Sequence, residues 1–213
     1  MGLVAKDEDI QIENLSLGPY GTNSYILICA RTGDSVVVDA PAEASVIQER
    51  LKETNPRYLL ITHNHFDHTG ALKALKAELA IPVAAHPEDA TQLPLKPDIL
   101  LKGGEALSFG KVELKVFHTP GHTPGSLCFY TEDYLIAGDT IFPGGPGKTS
   151  SPENLKQIIE SITSKIFTLP DDTRIFPGHG DSTVLKLEKE AFAVFSSHQH
   201  DPELCGDVLW LSS

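Results

Sequence analysis

The chain has 213 residues, 40% of them apolar, which suits a globular protein with one main core and leaves no room for a second of full size. A formal net charge of -12 argues against nucleic acid as the main partner, because phosphate contacts need a basic surface. No apolar run has the length of a signal-peptide core or a membrane span, so the expectation is a cytoplasmic protein with no membrane partner; the oligomeric state is left open.

Residues 9–40 read as three β-strands: Ile10-Gln11-Ile12 alternates, residues 23–30 are largely apolar, and Ser35-Val36-Val37-Val38-Asp39 is β-branched after the turn Thr32-Gly33-Asp34. Pro41 closes the third, and residues 43–53 carry Val46, Ile47 and Leu51 at helical spacing. A short strand over residues 57–62 then delivers the densest polar cluster of the chain, His63-Asn64-His65-Phe66-Asp67-His68, ahead of a helix predicted over residues 69–79 with Ala71, Leu72, Leu75 and Leu79 on one face. Residues 82–86 read as a strand, 87–97 as a short helix running into a proline-rich loop, and 105–118 as a hairpin turning at Gly110-Lys111.

The second half repeats the theme. A hairpin over residues 126–137 turns at Glu132-Asp133 and runs into Gly138-Asp139-Thr140, followed by a glycine- and proline-rich loop over residues 142–148. Ser151-Pro152-Glu153 starts a helix whose stripe is Leu155, Ile158, Ile159, Ile162 and Ile166. Arg174-Ile175-Phe176 is a strand ending in Pro177-Gly178-His179-Gly180, and Asp181 or Ser182 is expected to cap a last helix before a tail without a clear period. The fold class is therefore α/β: two mixed β-sheets packed face to face with helices on the outer faces, a four-layer sandwich formed as a single domain over residues 1–213. Cys29, Cys128 and Cys205 are odd in number, widely spaced and without a CxxC pair, and are read as buried or idle thiols.

Three imidazoles and a carboxylate within six positions after a strand can converge on a metal of the zinc type. Further candidates sit at later strand ends: His122 in Thr119-Pro120-Gly121-His122, Asp139 in Ala137-Gly138-Asp139, and His179 in Pro177-Gly178-His179. Glycine precedes each of them, where a tight turn and close backbone approach are needed.

This set, His-x-His-x-Asp-His followed by separate His, Asp and His, closely resembles the signature of the metallo-β-lactamase fold superfamily, and the resemblance covers nearly the whole chain. Residues 119–126, 138–142 and 169–173 look most like the catalytic domain of glyoxalase II, the hydroxyacylglutathione hydrolase group, in a short form without the full C-terminal helical domain. The resemblance implies two divalent metal ions, zinc by preference with iron or manganese as alternatives. One would be held by His63, His65 and His122, the other by Asp67, His68 and His179, with Asp139 bridging. A shared water, its pKa lowered towards neutrality, would attack the thioester or ester carbonyl of a small-molecule substrate as hydroxide, with Asp67 and Asp139 as the catalytic carboxylates. Lactonase or weak β-lactamase activity would use the same centre, while the persulfide dioxygenases of the superfamily bind one iron through the equivalents of His63, His122 and Asp139. By the same resemblance Lys148 is a substrate contact and Asp39 supports the ligand loops. His86 and His118 match no ligand position and are read as structural, and His198-Gln199-His200 as surface.

Overall fold

The computed structural model describes residues 2–213 and contains two large sheets. The first is formed by β1 (Gly2–Lys6), β2 (Ile10–Leu17), β3 (Thr22–Cys29), β4 (Asp34–Val38), β5 (Asn55–Leu60), β6 (Val83–Ala85) and β7 (Ile99–Leu100), in spatial order 1-2-3-4-5-6-7. Its first four strands pair antiparallel; from β4 onwards the pairs are parallel, with α1 (Ala44–Leu51), α2 (Phe66–Thr69), α3 (Leu72–Leu79) and α4 (Pro87–Ala90) in the connections.

The second sheet is an antiparallel meander of β8 (Ala106–Phe109), β9 (Val112–His118), β10 (Leu127–Thr131) and β11 (Tyr134–Gly138). A small ribbon, β12 (Ile141–Phe142) with β13 (Gly145–Pro146), and the helix α5 (Pro152–Ser161) follow. The chain returns through β14 (Arg174–Pro177), parallel to β11, then β15 (Thr183–Val184) and α6 (Leu185–Ser196). Among the described residues no helix is long and apolar enough to cross a membrane.

The near-continuous apolar strands follow from burial on both faces. Tyr25, Leu27, Val36, Val38, Leu127 and Phe129 point between the sheets, whereas their chain neighbours Ile26, Val37 and Cys128 point towards the helices. Ile47, Leu51, Leu72 and Leu75 cover the first sheet, and Leu155, Ile158, Ile162 and Leu185 the second, which makes the four layers expected from the sequence. Cys29 and Cys128 are buried thiols and Cys205 is an exposed one.

Four details differ from the sequence reading. Residues 2–6 form an extra edge strand with too little alternation to announce itself. The helix expected over residues 69–79 is two pieces, because Ala40 hydrogen-bonds to the chain on both sides of Gly70: its N–H donates to His68 O at 2.8 Å and its carbonyl accepts from Ala71 N at 2.8 Å. Any Cβ at Gly70 would lie 2.5 Å from Pro41 O. Asp181 and Ser182 cap nothing: Thr183 and Val184 pair with β14, and the first amides of α6, Leu185 and Lys186, donate to Thr173 O and Asp171 O. Finally, the tail docks, with Val208 and Trp210 buried against α6 and the second sheet.

Trp210 is 1% exposed and contacts Phe192 and Phe195 edge-on. Trp210→Ala is expected to lower stability by about 3–5 kcal/mol, read as a shift in the denaturant midpoint.

Candidate metal centre

All the ligand candidates hang from the carboxyl ends of strands, where loops of an open α/β sheet gather. Asp39 follows β4, the cluster His63–His68 follows β5, His122 follows β9, Asp139 follows β11 and His179 follows β14. The structure brings the seven side chains named from the sequence into one cluster at the seam between the two sheets.

The cluster has two halves. In the first, His63 Nε2 and His122 Nε2 lie 3.1 and 3.0 Å from His65 Nδ1. In the second, His179 Nε2 is 3.2 Å from His68 Nε2 and 3.2 Å from Asp67 Oδ2. Asp139 stands between them, with Oδ1 3.4 Å from His68 Nε2 and Oδ2 3.5 and 3.7 Å from the Nε2 atoms of His122 and His179.

Hydrogen bonds behind the cluster set which nitrogens face inward. His122 Nδ1–H donates to Lys148 O at 2.8 Å, and His68 Nδ1–H to Asp39 Oδ2 at 2.7 Å. Thr62 Oγ1 donates to Asp39 Oδ2 at 2.7 Å and so accepts from His63 Nδ1–H at 3.0 Å. The Nε2 atoms of His63 and His122 are thereby turned towards their neighbours as lone-pair bearers, and that of His68 becomes one when the ring gives up its second proton. Nitrogens about 2.0–2.1 Å from one tetrahedral ion stand about 3.3 Å apart, close to the separations found here. Asp139 Oδ1 is buried and makes no hydrogen bond, although His68 Nε2 is within charge-pairing distance. A donor set of facing lone pairs with an unpartnered carboxylate oxygen between its halves fits a pair of divalent cations.

Electrostatics agree. Burial, reinforced by the neighbouring His68, holds His63 well below its ordinary pKa, so it stays a neutral ligand. Burial alone would raise the Asp139 carboxyl, but His68 and the surrounding imidazoles outweigh it and keep the group ionised, well below the usual carboxylate range. Burial likewise opposes charge on His68; the carboxylates of Asp39 and Asp139 on either side prevail and push its pKa up to about 10.

The backbone fits as closely as the side chains. Gly138 adopts φ +48°, and a Cβ there would come within 2.7 Å of Thr62 Cβ. At Gly178 a Cβ would fall 2.2 Å from Asp139 Oδ1 and 2.6 Å from His68 Cε1, in the space between the two halves.

Asp39 does more than turn the chain: its Oδ1 also accepts from Thr62 N at 2.8 Å. Three residues that the sequence did not single out hold the loops. Asp89, buried on α4, accepts from Asn64 N, Thr123 Oγ1 and Gly125 N at 3.0, 2.8 and 2.8 Å, fastening the His63–His65 loop to the His122 loop. Asn23 Nδ2 donates to Pro177 O and Gly180 O, both at 3.0 Å, bracketing His179. Thr22 Oγ1 donates to Asp67 Oδ2 at 3.1 Å. Their only sequence signal is position at a strand or helix end.

His86 and His118 stack at 3.9 Å with 13° between the rings. Near-parallel rings do not aim their in-plane lone pairs at one point; His86 Nδ1 accepts from Glu88 N, and His118 Nε2–H donates to Pro124 O, which suits structural roles. His198 is exposed, but His200 packs on Phe195 at 3.8 Å. Lys148 is exposed on the wall of a cavity of about 330 Å³ that opens on His122, Asp139 and His179. A second, more apolar cleft of about 360 Å³ reaches Asp67 and Thr22 from the other side.

The description "Metallo-beta-lactamase superfamily" matches residues 17–179. A "Probable metallo-hydrolase YqgX" of Bacillus subtilis is 32% identical, the match covering 83% of this chain and 93% of that protein. A "Hydroxyacylglutathione hydrolase" of Anaeromyxobacter dehalogenans is 34% identical over 75% of this chain but only 62% of its own length. Among solved structures, BLEG-1 B3 metallo-beta-lactamase superposes with a TM-score of 0.77 at 30% identity, covering 84% of this chain and 96% of that one. TTHA1623 in a di-iron-bound form gives 0.72, also at 30% identity, over 83% and 96%.

Two outcomes follow for metal binding. Asp89→Asn places an amide opposite two backbone N–H groups, and metal affinity at the first half of the site is expected to fall about 10–100-fold in a competition titration. Because the His68 pKa lies above its ordinary value, the proton it holds stabilises the metal-free fold fully below about pH 6.5, and that contribution fades as pH rises through about 10. Metal must displace this proton, so affinity rises with pH across that window. Calorimetry in buffers of different ionisation enthalpy is expected to show proton release at pH 7 that diminishes in Asp39→Asn.

Proposed function

The chain belongs to the metallo-β-lactamase superfamily, and on that footing we propose that it is a dinuclear metal-dependent hydrolase cleaving a thioester or related ester. The observation that carries this reading is the pair of ligand sets, His63/His65/His122 and Asp67/His68/His179, facing each other across the unpartnered oxygen of Asp139. Relatives named hydroxyacylglutathione hydrolase support a thioester as the substrate class.

His63, His65 and His122 on one side and Asp67, His68 and His179 on the other would hold two divalent ions, which would supply Lewis acidity and lower the pKa of water towards neutrality. The chain does the rest. Asp139 spans both ligand sets and fixes their separation, while Asp39, Thr62 and the Lys148 carbonyl keep the imidazole rings in register. Asp67, held through Oδ2 by Thr22, is partly exposed where the apolar cleft meets the centre, and its carboxylate takes up the proton lost by the attacking water. The two clefts flanking the cluster receive the two halves of a substrate whose carbonyl lies between them. No serine or cysteine nucleophile is required, in keeping with burial of Cys29 and Cys128.

Zinc is the proposed occupant, with iron supported by the di-iron-bound relative. Metal analysis of protein purified without added metal, combined with a thioester, lactone and β-lactam panel, tests the reading. About two metals per chain and preferred thioester turnover are expected. Asp139→Ala is expected to lose metal and more than the ~100-fold in activity that removing an outer partner of a ligand costs. One iron per chain, with oxygen consumed on a persulfide, would replace hydrolysis by oxidation as the activity.

A further inference from the structure

The cavity of about 330 Å³ beside His122 and His179 is large enough for part of a small substrate. Its far wall comes from outside the metal centre: Phe142 and Pro143 from the β12–β13 ribbon, and Val208 and Leu209 from the C-terminal segment. That segment is fastened in place. Thr149 and Gly206 exchange backbone hydrogen bonds of 3.1 and 3.0 Å, Trp210 N donates to Gly144 O at 2.8 Å, and the buried Glu188 carboxylate accepts from Gly144 N at 2.8 Å.

Among the described residues lining this cavity, Lys148 carries the one ammonium group. Its Nζ lies 3.2 Å from Asp207 Oδ2, both side chains being largely exposed, at 67% and 77%. Such a pair adds little to stability. Its effect on a ligand is different: a substrate carboxylate reaching for Lys148 would have to displace Asp207 and then lie beside a like charge.

We propose that the C-terminal segment sets substrate choice at this centre. Asp207 occupies Lys148, and the apolar wall of Phe142, Val208 and Leu209 takes a substrate group that is uncharged and apolar in preference to one ending in a carboxylate. This rests on the hydrolase reading only in taking the substrate to be an ester or thioester. The backbone of Lys148 orients His122 whatever its side chain does, so selectivity here is separable from the integrity of the centre.

Two thioacetates test the inference, one of propanethiol and one of 3-mercaptopropionate, alike except that a terminal methyl is replaced by a carboxylate. Their kcat/KM values on the metal-loaded enzyme are compared with calorimetric binding of the corresponding non-hydrolysable thioethers. The wild type is expected to favour the propyl compound about fivefold or more, and Asp207→Asn to narrow the ratio by about the same factor. Adding Lys148→Met to Asp207→Asn is expected to restore the preference for the propyl compound, which a general disturbance of the tail would not do. Equal use of both compounds by the wild type, or an unchanged ratio in Asp207→Asn, would overturn the proposal. If neither thioester is cleaved while the thioethers keep the expected preference, the hydrolase reading fails and the selectivity stands; if both are cleaved with equal efficiency, the selectivity alone fails.

Discussion

The carboxylate of Asp39 is the contact on which the rest of the centre depends. It joins the end of β4 to the end of β5 through the amide and hydroxyl of Thr62, and to α2 through His68 Nδ1. Its backbone has φ 62°, a conformation costing of order 1–2 kcal/mol for a residue with a Cβ, and its own amide and carbonyl are tied to Leu60 O and Ser24 Oγ. The strain is held because the surrounding sheet over-determines it. With Asp39 so placed, His68 and His63 are both fixed as ring-nitrogen donors facing inward.

The second constraint is that neither sheet can build the centre alone. Leu127 N donates to Thr62 O at 2.8 Å, Tyr25 Oη to Pro177 O at 2.7 Å, and Asn23 N to Gly178 O at 2.7 Å, so β3 and β5 of one sheet carry the loops of the other. Asp89 adds a carboxylate link across the same seam. The packing of the two sheets and the spacing of the ligands are thus one property: a shift of one layer on the other would move His122, Asp139 and His179 away from His63 and His68.

What was legible in the sequence divides along physical lines. The seven candidate ligands stood out because few side chains can hold a metal and because their spacing after strands is restrictive; the glycines before three of them stood out because only a residue without a Cβ lets the backbone come so close. The four layers followed from two β-rich halves closed by helices, and the structure supplies the reason for their apolar strands. Interactions through the backbone left no such trace. Asp89 works on amides that every residue has, Gly70 is a break only because Ala40 bonds to the chain on both sides of it, and Trp210 finds its place by packing with residues far along the chain. Asp181 and Ser182 had the right chemistry for a cap, but carbonyls of Thr173 and Asp171 already serve the first turn of α6.

The division of each ligand set between the sheets has a consequence for the order of events during synthesis. His63, His65, Asp67 and His68 leave the ribosome first, yet each group lacks a member supplied later: His122 for one, His179 for the other. Domains fold as units while the chain lengthens at about 5–20 residues per second. The first set has all its members only when residue 122 has been made, and the second only when residue 179 has. The full arrangement of seven side chains is therefore a property of the nearly finished chain, reached only once β14 has joined the second sheet.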